Sequence, residues 1–166
     1  MTEPDTLLIP AAWPFPNSRL PLLLYRASLP ANADRIEQAF ETRGWSNAWQ
    51  NGIYRFHHFH STAHEVLGIA SGRVTVRFGG PTGIEVSLAA GDAVVIPAGV
   101  AHCNVDEEGR LAVVGAYPGG SSFDTLRGDM SDYEAAYNRA AAVPMPDEDP
   151  LPGYDALRRL WHEARP

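Results

Sequence analysis

Apolar and polar positions alternate most regularly in the middle of the chain, where Arg73-Val-Thr-Val-Arg-Phe78 and Ile84-Glu-Val-Ser-Leu88 change face at every residue. A period of two marks a strand with one buried face, and Gly79-Gly-Pro-Thr-Gly83 between them predicts a hairpin with a five-residue loop. Residues 54–60, 65–70, 94–96 and 111–114 read as further strands, with Ser61-Thr-Ala63 as a break before Glu65. Short strands at this spacing predict an antiparallel sandwich or barrel. Three stretches carry a helical period instead. Asn32 can cap a helix to Arg43 with Ile36, Ala39 and Phe40 on one face and Gly44 as its stop. Ser131-Asp-Tyr-Glu134 has the spacing of a capping box and opens a run to Ala142. Residues 154–163 place Leu157, Leu160 and Trp161 on one stripe. Trp45, Trp49 and Trp161 are expected to anchor helices on the barrel, and the proline-rich, acidic residues 144–152 to form a solvated linker.

Composition narrows the chemistry. A chain of 166 residues suffices for one core. Thirteen basic against 20 acidic residues give a net charge of -7, which repels phosphate backbones and anionic headgroups, so nucleic acid and membrane surfaces are not expected partners. Every basic residue is arginine, and without lysine neither Schiff-base chemistry nor a phosphate-loop lysine is available. The single cysteine, Cys103, excludes an internal disulfide framework and fits a reducing cytoplasm. No apolar run reaches the roughly 18 residues of a membrane span. The first basic residue, Arg19, follows four prolines, which is unlike a secretory leader.

Histidine is distributed unevenly. His57, His58, His60 and His64, four of the six in the chain, fall within eight residues. On a strand, His58 and His60 share a face while His57 points away, so one wall can offer two imidazoles to one ion. Glu65 can add a carboxylate after the break, and His102, beyond the turn at Pro97-Ala-Gly99, a further imidazole. Such nitrogen and oxygen donors suit one divalent Fe, Mn, Zn, Ni or Co ion. Tyr54, Phe56 and Leu67 are expected to line the same interior. Alternation turns His64 outward, whereas a rim position would make it a proton shuttle or a group supporting a ligand; His64 and Tyr54 are thus the catalytic candidates. Cys103, adjacent to His102, is expected to be a buried apolar residue facing away from the ion.

These residues fall into two ordered patterns. Gly52, five residues, His58-Phe-His60, four residues, Glu65, six residues and Gly72 form the first; Gly91, five residues, Pro97-Ala-Gly99, two residues and His102 form the second. The chain therefore resembles the cupin superfamily over about residues 50–117, and the wording of residues 56–68, with Asn17-Ser-Arg-Leu-Pro21 upstream, resembles its YjlB-like single-domain bacterial branch. One departure is Asp106 where the second motif often ends in asparagine. The resemblance implies an all-β double-stranded β-helix, or jelly roll, with peripheral α-helices. It also implies metal binding by His58, His60, Glu65 and His102. The division expected is an N-terminal extension with one helix (1–49), a barrel core (50–117) and a helical C-terminal extension (118–166), packed as one domain.

Three imidazoles and one carboxylate would leave a six-coordinate divalent ion with about two open positions. The expected function is a metal-dependent enzyme acting on a small oxygen-rich molecule, dioxygenase- or isomerase-like. The alternative is a noncatalytic metal- or ligand-binding, or sensing, module. A homodimer is also expected, because Leu20-Pro-Leu-Leu-Leu24 is too apolar to lie free in water.

Overall fold

A computed structural model of the chain describes residues 3–164. In chain order the elements are β1 (Asp5–Leu7), β2 (Leu22–Tyr25), α1 (Ala33–Thr42), β3 (Trp45–Asn51), β4 (Glu65–Phe78), β5 (Ile84–Ala89), β6 (Ala93–Ile96), β7 (His102–Pro118), a 3-10 turn (Met130–Asp132), α2 (Tyr133–Ala141) and α3 (Leu157–Ala164). The strands form one sheet in the order β1-β2-β6-β4-β7-β3, with β5 also on β4, and every pairing is antiparallel. This is the expected all-β jelly roll with peripheral helices.

The spine is β4 against β7, paired from Val66↔Ala116 to Phe78↔His102. The other edge of β4 is shared: Glu65–Gly68 pair with β6, and Arg73–Phe78 with β5. The chain passes from one neighbour to the other at Ser71-Gly72, where the register with β7 shifts. Gly72 has φ 77°, and a Cβ there would lie 2.9 Å from the Leu111 backbone, so this corner requires glycine. Residues 65–70 and 73–78 are therefore one bent strand rather than two.

Alternation sorts the core into two layers. Leu22, Leu24, Leu67, Ile69, Val94 and Ile96 pack inside the barrel. Leu23, Tyr25, Val66, Ala70 and Val95 pack outside it under Ile36 and Phe40 of α1 and Leu157 and Trp161 of α3. Strands buried on both faces read as continuous apolar runs. That is why 20–24 is so apolar: β2 lies between β1 and β6 inside its own chain, and the segment gives no reason by itself for association.

Local signals met their structural roles unevenly. Asn32 caps α1 as expected, its side chain accepting from the Arg35 N–H at 3.0 Å. Asp129 caps the 3-10 turn, accepting from the Ser131 N–H, and the N-cap position of α2 is Asp132, whose side chain makes no capping bond, so the capping-box reading of Ser131 does not hold. α3 starts at Leu157 rather than at 154, because Asp149 takes the Ala156 and Leu157 N–H groups. Asp149 and Leu151 are buried, and Asp149 also accepts from the Tyr25 hydroxyl, so 144–152 is a docked strap and not a solvated linker. Residues 54–60 are not a strand but a loop, bridged to β7 at His58↔His102 and to Leu126 at Phe59, while 45–51, not read as a strand from the sequence, forms edge strand β3. The boundary placed at 49/50 falls inside β3.

Candidate metal centre

The centre is built from three segments. His58 exchanges backbone hydrogen bonds with His102 (3.2 and 2.9 Å), which sets the two imidazoles side by side with centroids 4.1 Å apart. Two residues on, the His60 carbonyl accepts from the Gly99 N–H at 2.8 Å, fastening the loop to the turn before His102. Glu65 opens β4 opposite Ile96. Asn17 braces that turn from the N-terminal extension: its side chain accepts from the Ala101 N–H (3.1 Å) and donates to the Gly79 carbonyl (3.1 Å).

His58, His60 and His102 each place one ring nitrogen within 4.8 Å of the others, and all three are buried. Glu65, 2% exposed, stands beside two of them, 3.5 Å from His60 Nε2 and 3.4 Å from His102 Nε2. Each Nδ1 faces a backbone carbonyl: Phe56 O for His58 (2.9 Å), Asp124 O for His60 (2.5 Å) and Val100 O for His102 (3.0 Å). A carbonyl only accepts, so each Nδ1 must carry its hydrogen when these bonds form. The neutral ring then keeps its lone pair on Nε2, the tautomer that a metal ligand needs. The donor set thus fits a divalent ion on its own geometry.

Electrostatics agree. Burial, reinforced by His102, lowers the His58 pKa to about 3, so its ring is neutral near pH 7. Burial also opposes charge on His60, but the Glu65 carboxylate beside it outweighs this and raises its pKa. Burial alone would raise Glu65; His60 and His102 overcome it and hold the carboxyl below its ordinary range.

Glu65 has a further partner that sequence patterning did not suggest. The Tyr117 hydroxyl donates to Glu65 Oε2 at 2.6 Å and accepts from Trp49 Nε1 at 2.8 Å. Trp49 packs against the barrel core as a partly buried side chain and in addition donates this hydrogen bond. Its indole lies against Gly115, where a Cβ would come 2.2 Å from ring atoms. Asp124 was equally unmarked: its carboxylate accepts from the Ser61 and Thr62 N–H groups and the Ser61 hydroxyl, clamping the segment after His60. The signals available were a tyrosine two residues beyond Gly115 on β7 and an aspartate in a glycine- and serine-rich turn, neither distinctive without contacts.

The four expected ligand residues open onto a cavity of about 420 Å³. Leu67 lines it. Tyr54 lines it too, but at 59% exposure it belongs to the mouth and not to the packed interior. Phe56 is outside the lining, half-buried between Tyr54 (centroids 4.7 Å) and the Arg127 guanidinium (3.7 Å). His57 points away, near Phe15. Cys103 is buried and does not line the cavity. His64 follows alternation: 1% exposed, it accepts from the Ala98 N–H at 2.9 Å and packs on Trp161 outside the barrel. Its ring is not at the cavity rim, because inward Glu65 forces its neighbour to the opposite face.

The cupin-domain family model, Cupin_2, matches residues 50–114. "Uncharacterized protein YjlB" of Bacillus subtilis (strain 168) is 34% identical over 161 residues, 96% of this chain and 97% of the relative. The chain belongs to the cupin family, as a YjlB-like single-domain cupin. Among solved structures this cupin is similar to acireductone dioxygenase from Bacillus anthracis with a cadmium ion in its active centre, at TM-score 0.41 and 19% identity. That match covers 56% of this chain and 62% of the other, under two thirds of it. It is also similar to Bacillus subtilis oxalate decarboxylase, studied for its Mn(II) centres, at TM-score 0.37 and 15% identity over 64% of this chain and 27% of the other.

Proposed function

We propose that this cupin binds one divalent transition-metal ion (Fe, Mn, Zn, Ni or Co) through His58, His60, Glu65 and His102, and that it is a metal-dependent enzyme acting on a small oxygen-rich molecule. The observation that carries the reading is the set of three buried imidazoles whose Nδ1 positions are taken by backbone carbonyls while one nitrogen of each converges beside a buried carboxylate. When bound, the ion supplies Lewis acidity and a template for oxygen donors, with electron transfer added for a redox metal. The chain's own residues supply the rest. Tyr117 holds Glu65 in place, Asp124 holds the His60 ring, and Leu67 and the aromatic wall keep the cavity largely apolar.

A second reading, noncatalytic binding or sensing, gains support from His64. With that ring outside the barrel, the proton-bearing groups lining the cavity among the described residues, apart from the ligands, are the Tyr54, Tyr117 and Thr125 hydroxyls and weakly acidic amide and indole N–H groups. Turnover assays with oxygen-rich candidates, including dioxygen uptake by the iron form, separate the two readings.

The primary test is elemental analysis after purification without added metal and again after reconstitution. About one ion per chain is expected in the wild type and in His64→Ala, with strong depletion in His102→Ala and Glu65→Ala. Equal metal in wild type and His102→Ala, or more loss from His64→Ala than from Glu65→Ala, refutes the ligand set. The reading also places the protein in the cytoplasm as a homodimer. Supporting features are a lone buried cysteine and the sheet-edge strand β1 beside exposed Leu8 and Trp13.

A further inference from the structure

Of the aromatic side chains lining the cavity, Tyr54 and Phe123 each stack on another ring. Tyr54 stacks on Phe56 (4.7 Å, 17° between planes), whose ring also carries the Arg127 guanidinium, and Tyr54 stands edge-on to His58 at 5.2 Å. Phe123 stacks on Tyr117 (4.4 Å, 20°) and stands edge-on to His60 at 4.9 Å. Both remain substantially exposed, Tyr54 at 59% and Phe123 at 39%. A ring fixed from behind loses little freedom when a ligand packs on its open surface, so part of the ordering cost of binding is already met. Two such rings beside the histidine cluster make a platform for a flat or unsaturated group whose polar end reaches the imidazoles.

Charge limits that polar end. The described residues lining the cavity include no arginine, the chain has no lysine, and Glu65 is the one carboxylate among them. Arg55 is paired with Glu107, and Arg127 lies on Phe56. A phosphate or a dicarboxylate is ordinarily held by arginine forks, which this wall does not offer. A divalent ion with one carboxylate ligand balances a single further negative charge.

We infer that the pocket takes a small molecule with a flat unsaturated or aromatic body and adjacent oxygen donors, carrying at most one negative charge. This rests on the metal-binding reading above. The test uses reconstituted protein, with metal content measured on every sample, and isothermal titration with benzohydroxamate, acetohydroxamate and oxalate. The hydroxamates share one chelating group and differ in the ring. Benzohydroxamate is expected to bind at least 10-fold tighter than acetohydroxamate, and oxalate more weakly than benzohydroxamate. One aromatic contact is worth about 2- to 12-fold in affinity. Tyr54→Ala and Phe123→Ala should each reduce the ratio between the hydroxamates by about that factor, and Trp13→Ala, an exposed aromatic outside the cavity, should leave it unchanged. A ratio near one in the wild type, a ratio insensitive to both rim variants, or oxalate binding tightest overturns the ligand class while leaving metal binding intact. Wild-type protein that holds no ion after reconstitution overturns both.

Discussion

Tyr117→Phe removes one oxygen atom and tests how the carboxylate of the centre is held. That oxygen donates to Glu65 Oε2 at 2.6 Å and accepts from Trp49 Nε1 at 2.8 Å. Glu65 is almost fully buried, so water cannot readily replace the lost donor; Trp49 is half-buried and its N–H can turn to solvent more easily. The carboxylate side therefore dominates, and a hydrogen bond to a charged group contributes about 1.5–3 kcal/mol. For a domain of this size each kcal/mol corresponds to about 2–4 °C, so the metal-free variant should melt roughly 3–12 °C lower. Loss of a partner that orients a ligand typically weakens metal affinity by about 10- to 100-fold. Circular-dichroism melts of the metal-free protein and competition titrations against a chromophoric chelator measure the two effects. Gly115→Ala should act in the same direction, since its new Cβ meets the Trp49 ring and pushes the indole from the Tyr117 hydroxyl. Melting temperature and metal affinity both unchanged in Tyr117→Phe would refute the coupling of Tyr117 to Glu65.

Acid should destabilise the metal-free protein. His58, depressed from 6.5 to about 3, contributes stability that is present above pH 6.5 and lost as pH falls toward 3, at up to about 1.4 kcal/mol per pH unit. Depressed Glu65 adds stability that is fully present above its ordinary 4.5 and is lost as pH falls below it through its folded value, whereas the contribution of raised His60 is present below 6.5 and lost as pH rises through its folded value. Urea titrations at pH 6.5, 5.5 and 4.5 should thus give falling stability, and a flat profile would contradict the burial of a neutral His58. Metal affinity should fall over the same range, because ions and protons compete for His60, which chelator competition at each pH reads directly. His64→Ala should cost about 2–4 kcal/mol in chemical denaturation, the loss of a buried side chain rather than a surface effect, and a change below about 0.5 kcal/mol would contradict its packing on Trp161. Sedimentation should give a dimer, and a species near 18.1 kDa at micromolar concentration would remove that expectation.

Much of this protein is legible from local spacing. The two-residue period of 73–78 and 84–88, the Asn32 cap and the Gly44 stop need only neighbouring residues to be read, and the structure realises them as parts of β4, β5 and α1. The spacing of His58, His60, Glu65 and His102 was readable for the same reason: alternation puts His58 and His60 on one face even though their segment is a loop. Tertiary structure decided what alternation leaves free. Leu20-Pro-Leu-Leu-Leu24 has one apolar pattern whether its cover is a second subunit or α1 and α3, and only the β2–β6 pairing chooses the latter. Tyr54 has the right parity for the interior but sits where the wall ends, so its ring reaches the mouth. Tyr117 and Trp49 are far from Glu65 in sequence, and the register of β7 between β4 and β3 brings all three into hydrogen-bonding distance. A side chain's face follows from its neighbours along the strand. What it touches on that face depends on which strands lie beside it, and that is a property of the whole sheet.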